Sequence, residues 1–145
     1  MRTALFIFLL LATTFAPCAE ESLDALKAHF DRASTSTEDR AEIGIRIAQI
    51  QVRNADHFYT EGHSEEARAA VEDVASYSEK ARDAAIQSKK HEKTIEIDVR
   101  KMADRLRDIK RTLAFEDQAA VDKAIRRLED VRTTLLNEMF SKKKS

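Results

Sequence analysis

Apolar residues recur three and four positions apart through most of this chain. Leu23, Leu26 and Phe30 open the pattern and predict a short first helix beginning at Ser22. The polar run from Ala33 to Thr37 interrupts it. Ser36 followed by Asp39, or Thr35 followed by Glu38, has the capping spacing that opens a helix, so a second helix is expected from about Thr37 to Glu61. Ile43, Ile45, Ile47, Ile50 and Val52 partly alternate, as strand residues do. However, Ala41, Ile45, Ala48, Val52, Ala55 and Tyr59 also share a helical face, and no second strand candidate exists to pair with this one. Gly62 suits the position just past a helix end, where positive φ is common.

From Ser64 the pattern becomes regular. Ala67, Val71, Val74, Ser78, Ala81, Ala85, Ser88, Glu92, Ile95, Val99, Met102, Leu106, Ile109 and Leu113 step by four and three without a slip, and neither Gly nor Pro interrupts them. Taken literally this is one helix of about 50 residues, roughly 75 Å long. The middle of the seam is small or polar, from Ser78 to Glu92, so a bend near 88–92 is the alternative to the continuous helix that the heptads favour. After a break at Ala114 to Asp117, Asp117 is expected to cap a last helix. Its inner face would be Val121, Ala124, Ile125, Leu128, Val131, Leu135 and Met139, ending at Phe140. The fold class is therefore all-α, with antiparallel helical hairpins or a bundle built around a heptad-patterned helix over about 64–113. It forms one domain over residues 20–140 with a basic tail over 141–145.

The first nineteen residues differ from all of this. Arg2, an apolar run from Ala4 through Phe15, and the small residues Ala16, Cys18 and Ala19 have the layout of a secretory signal peptide cut after Cys18 or Ala19. The run falls short of the roughly 20 apolar residues a membrane span needs. Pro17 before Cys18 argues against lipoprotein processing. The expectation is export, to a bacterial periplasm or beyond. Cys18 is the only cysteine, so no internal disulfide staples the domain and helix packing alone must hold it.

Charged residues make up 35% of the chain, and their distribution matters more than the net of −1. From Glu20 to Glu79 there are 6 Lys and Arg against 14 Asp and Glu, a net of −8; from Lys80 to Ser145 there are 18 against 12, a net of +6. The basic half carries Lys89, Lys90, Lys93, Arg105, Lys110, Arg111, Arg126 and Arg127, candidate contacts for an anionic envelope surface such as lipid head groups or wall polymer. Self-association between opposite halves is a second use of the asymmetry, and a solvated helix face is the bland one. Nucleic acid is not expected as a partner, given export and the absence of interleaved aromatics.

Ala55, Phe58, Tyr59, Gly62, Glu66 and Ala67 resemble the turn region of a tetratricopeptide repeat: a small residue, an aromatic pair, a glycine between helices, then an alanine that lets the helices approach. The resemblance spans about 34 residues and implies a helical hairpin. It departs from the family at Gln51 and Asn54, where large apolar residues are usual, at Val74 in place of alanine, and at Glu79 in place of the closing proline. No second copy follows, so the usual peptide-binding superhelix is not implied. Phe58, Tyr59 and Gly62 are the candidate contacts for a protein partner.

Catalytic chemistry finds no foothold in the pattern. His29, His57, His63 and His91 are preceded three residues earlier by Leu26, Asn54, Thr60 and Ser88, so the Glu-x-x-His pairs of di-iron bundles do not occur. No nucleophile motif, phosphate-binding glycine loop or zinc cysteine pattern is present either. No cofactor or metal is expected. The expected function is an exported, non-enzymatic helical interaction or scaffold protein, with docking on an anionic surface as the alternative.

Overall fold

The computed structural model describes residues 21–144, and the expected signal peptide lies outside them. Helix α1 (Leu23–Asp31) starts where the Ser22 hydroxyl accepts the Ala25 N–H at 3.2 Å. Helix α2 (Thr37–Glu61) starts at Ser36, whose Oγ accepts the Asp39 N–H at 3.0 Å, the N-cap that the sequence spacing anticipates, and donates to the Asp39 carboxylate at 2.6 Å. Gly62 ends α2 at φ +80°, with the His63 N–H on the Phe58 carbonyl at 2.8 Å and the Gly62 N–H on that of Tyr59 at 3.2 Å. That paired closure satisfies carbonyls the helix end would otherwise orphan.

Helix α3 (Ser64–Ser88) then runs antiparallel to α2. It does not continue to Leu113. Lys89 takes φ +57° and His91 φ +65°, and the N–H groups of Lys89 and Lys90 close back on the carbonyls of Ile86 and Ala85. This is the same terminus as at Gly62, made without a glycine. Helix α4 (Glu92–Thr112) departs from it. The heptad seam is buried on both sides of the break, through Val71, Val74, Ser78 and Ala85 before it and Ile95, Val99, Met102 and Leu106 after it. Face and period agree with the sequence; continuity does not. A straight helix would leave a small-residue middle with little apolar area to bury, whereas the reversal lets both halves share one core.

Helix α5 (Phe115–Lys142) opens at Ala114 rather than at Asp117. Asp117 lies in the first turn, where its carboxylate accepts from the Ser64 hydroxyl at 3.0 Å and from Arg68 at 2.9 Å. It ties α5 to α3 instead of capping its own helix. At the far end α5 passes Phe140 and continues to Lys142.

The result is two antiparallel hairpins, α2–α3 and α4–α5, laid side by side. Ion pairs fix the direction: Asp56 meets Arg105 and Glu38 meets Lys90, so α2 and α4 run parallel. Arg68 meets Asp117 and Glu79 meets Arg127, so α3 and α5 do too. Leu26, Ile47, Val74, Ile95, Leu106, Leu128 and Leu135 are completely or almost completely buried between them. Helix α1 closes one side. Phe30 sets its ring edge-on to Tyr77 at 5.3 Å, and the Asp73 carboxylate accepts from both Lys27 and Gln51 at 2.6 Å. That pair gives the buried Gln51 its role. Ile43, Ile45 and Ile47 alternate in sequence yet are all buried, because α2 is packed by α1, α3 and α4 on different sides.

Gly44 sits in the middle of α2 where the backbone has no need of it. A Cβ there would stand 3.1 Å from the Phe30 ring, 3.2 Å from Ala81 Cβ and 3.2 Å from the Tyr77 carbonyl. The residue is small because three elements meet on it. Gly44→Ala is expected to lower stability by about 1–2 kcal/mol in urea denaturation, overpacking outweighing the gain of about 1 kcal/mol in helix propensity. Lys89→Gly should do the opposite. It relieves a left-handed backbone at an exposed side chain and should raise stability by up to about 1 kcal/mol. An unchanged midpoint would mean that the left-handed residue at 89 carries no cost.

Candidate functional site

The basic half of the chain meets the acidic half inside one molecule. Arg127 on α5 grips Glu79 of α3 through two nitrogens, at 2.7 and 2.8 Å, and reaches Glu72 at 2.5 Å with a third. The fork matches carboxylate geometry. These hydrogen bonds raise the Arg127 pKa above its ordinary value and hold the Glu79 carboxyl below its own. Between α2 and α4, Glu38 takes Lys90 at 2.7 Å, and His91 stands 3.2 Å from both Glu38 and Glu42. Lys90 foremost, then His91, lowers the Glu38 pKa. Between α4 and α5, Lys110 meets Asp122 at 2.7 Å and Arg132 meets the buried Glu96 at 2.6 Å, while Arg107 pairs with Glu129 and Lys142 with the buried Glu92. Hydrogen bonding to Glu96 raises the Arg132 pKa.

The eight candidate surface cations therefore divide. Lys90, Arg105, Lys110, Arg111 and Arg127 lie against Glu38, Asp56, Asp122, Asp108 and the Glu72–Glu79 pair. Lys89, Lys93 and Arg126 are exposed and make no ion pair among the described residues. In sequence these eight form one basic half; in space they do not form one face.

The candidate partner contacts lie together at one end of the bundle. Gly62 is exposed, with open space around it. Phe58 is half-buried against the core, flanked by the exposed His57 at 6.2 Å between ring centroids and by His63, stacked on it at 6.4 Å. Tyr59 turns inward. Its hydroxyl is buried without a hydrogen-bond partner, and burial first, then the neighbouring Asp117, raises its pKa. The turn thus presents Phe58 between two imidazoles, with Tyr59 serving mainly as packing.

Two features escape the sequence pattern. Phe140, the expected last residue of the helix, is 62% exposed, and Phe115 at the other end of the same helix is 85% exposed. The pair between Lys142 and Glu92 brings the basic tail beside the start of α4, so lysines about fifty positions apart in sequence meet at one end. Among the described residues no group of three or more His, Cys, Asp or Glu side chains is arranged to hold a metal ion, and no helix is long and apolar enough to cross a membrane. No family model, curated protein or solved structure matches the chain.

The Arg127 clasp should be visible in the pH dependence of stability. A carboxyl held below its ordinary value stabilises the fold above the unfolded value, near 4.5 for Glu79, and that contribution disappears as pH falls through the folded value. Arg127→Met should cost about 2 kcal/mol at neutral pH. The gap to the parent protein should begin to close as pH falls below 4.5 and vanish once it has passed the lowered folded value, beneath which Glu79 is neutral in both proteins. Urea midpoints across the acid limb check this; a gap independent of pH would assign the loss to packing of the Arg127 stem.

Proposed function

We propose that this chain is an exported, non-enzymatic helical interaction module of the bacterial envelope, which engages a protein partner through the Gly62 end of its first long hairpin. The observation that carries the reading is the aromatic cluster of His57, Phe58 and His63 set around an open left-handed glycine at the tip of a well-packed hairpin. The signal-peptide layout of residues 1–19 supports export. A supporting argument against catalysis is that His91, Asp117, Glu38, Glu79 and Glu96 each tie one helix to another, a bracing role in this fold.

Docking on an anionic envelope surface is the second reading. It is favoured by Lys89, Lys93 and Arg126, which stand exposed without carboxylate partners among the described residues.

His63→Asp separates partner binding from folding. His63 occupies the N-cap of α3 and makes no side-chain cap. Aspartate there is expected to raise stability by about 1 kcal/mol by supplying one. The same change removes an imidazole from the cluster and adds a negative charge. The expected outcome is a more stable protein that no longer retains a partner cross-linked in envelope extracts. Retention of the same cross-linked protein by His63→Asp would overturn the assignment of this end.

A further inference from the structure

The lysine-rich end of the bundle, opposite Gly62, has a composition that packing does not explain. Phe140 is 62% exposed there, and with Asn137, Ser141 and Lys144 it lines a shallow hollow in the outer surface of α5. At this end, the antiparallel run of α4 and α5 gathers two basic segments. Lys142 pairs with Glu92, which places Lys143 and Lys144 at the same end as Lys89, Lys90 and Lys93. Of the carboxylates at this end, Glu38 is engaged by Lys90 and His91, Glu42 by His91, Glu92 by Lys142 and Asp39 by the Ser36 hydroxyl, while Glu138, one turn before Lys142, makes no ion pair among the described residues. Lys89, Lys93, Lys143 and Lys144 are exposed and make no ion pair among the described residues.

Helix dipoles account for part of this. Lys89 follows the C-terminus of α3, and Lys143 and Lys144 follow that of α5, where cations are favoured by a few tenths of a kcal/mol to about 1 kcal/mol. Lys93 is the second residue of α4, where the dipole disfavours a cation, and the exposure of Phe140 is not an electrostatic matter at all. An exposed aromatic side chain at the same end of the bundle as exposed lysines from separate segments fits a surface that is anionic outside and apolar just beneath. We propose that this end docks on an anionic lipid bilayer, Phe140 entering the interface while Lys89, Lys93, Lys143 and Lys144 meet lipid phosphates. The inference rests on the anionic-surface reading above and gives it a site and a ligand class. It does not involve the Gly62 end.

The test is co-sedimentation of the purified protein with vesicles of phosphatidylglycerol and phosphatidylcholine, against vesicles of phosphatidylcholine alone and against isolated cell-wall sacculi. Binding is expected only where phosphatidylglycerol is present, and it should weaken with salt. Lys143→Gln with Lys144→Gln should lower the partition coefficient by about thirtyfold at low salt, given about a fivefold loss per lysine. Phe140→Ser should lower it by about tenfold or more, with a loss that persists at high salt because it is hydrophobic. Arg100→Gln, an exposed cation in the middle of α4, should change nothing. Equal losses per charge for Arg100→Gln and the lysine pair would reduce the effect to net charge and overturn the site. Binding to sacculi without binding to lipid would overturn the lipid inference while the anionic-surface reading stood. Salt-sensitive binding to neither would overturn both.

Discussion

Neither long hairpin can bury its apolar face alone, so the fold depends on the reversal between Ser88 and Glu92 that lays one hairpin on the other. Isolated helices of this length are marginal in water, and tertiary packing supplies most of their stability. At the reversal the backbone adopts a left-handed conformation twice, at Lys89 and His91, neither of which is glycine. Such residues cost about 1–2 kcal/mol each. The strain persists because the alternative, a helix about 50 residues long, would leave the seam residues on either side of the turn without each other. Val71, Val74, Val99 and Leu106 are almost wholly buried in the stacked hairpins.

Once the hairpins are stacked, the charge asymmetry acquires a structural meaning. Parallel packing of α3 on α5 sets carboxylates of α3 against an arginine of α5: Arg127 spans Glu72 and Glu79, two carboxylates seven residues apart on a single face. Exposed ion pairs contribute little individually. Their larger effect here is on register. A slide of α5 by one turn would separate Arg127 from Glu79, Asp117 from Ser64 and Arg68, and Arg132 from Glu96 together. Opposite halves of the chain pair within one molecule, whereas the expectation from sequence concerned association between molecules.

What sequence could reveal followed the range of the interaction. Ser36 with Asp39, and Gly62 after Glu61, are local signals read over a few residues, and both sit where the pattern put them. The buried face of the seam was equally legible, since three-and-four spacing is a property of one helix. At Lys89 the heptads favour a continuous helix where the chain breaks, because no glycine marks the break and the left-handed residues are imposed by tertiary packing. Asp117 satisfies the local criterion for a cap, yet its carboxylate finds Ser64 and Arg68, partners about fifty residues away. Phe140, the expected last residue of the helix, lies one position past the three-and-four spacing of the inner face and stands in solvent.

The same logic separates the two ends of the molecule. Antiparallel connection places the tight Gly62 turn and the start of α5 at one end, with Phe58 between two histidines and Asp117 tied to α3. It places the Lys89 turn, the start of α4 and the C-terminus of α5 at the other. No single stretch of sequence contains that second end, because it is assembled from residues near 90 and residues near 142. The pair of Lys142 with buried Glu92 holds the assembly together. Glu92 is 9% exposed, so removing its partner would leave a carboxylate short of compensation in the packed region. Lys142 is therefore structural, while Lys143 and Lys144, one and two residues on, have no such employment. A basic tail whose first residue is anchored and whose next two are free is oriented by the fold, and that orientation sets the direction in which this end can meet a charged surface.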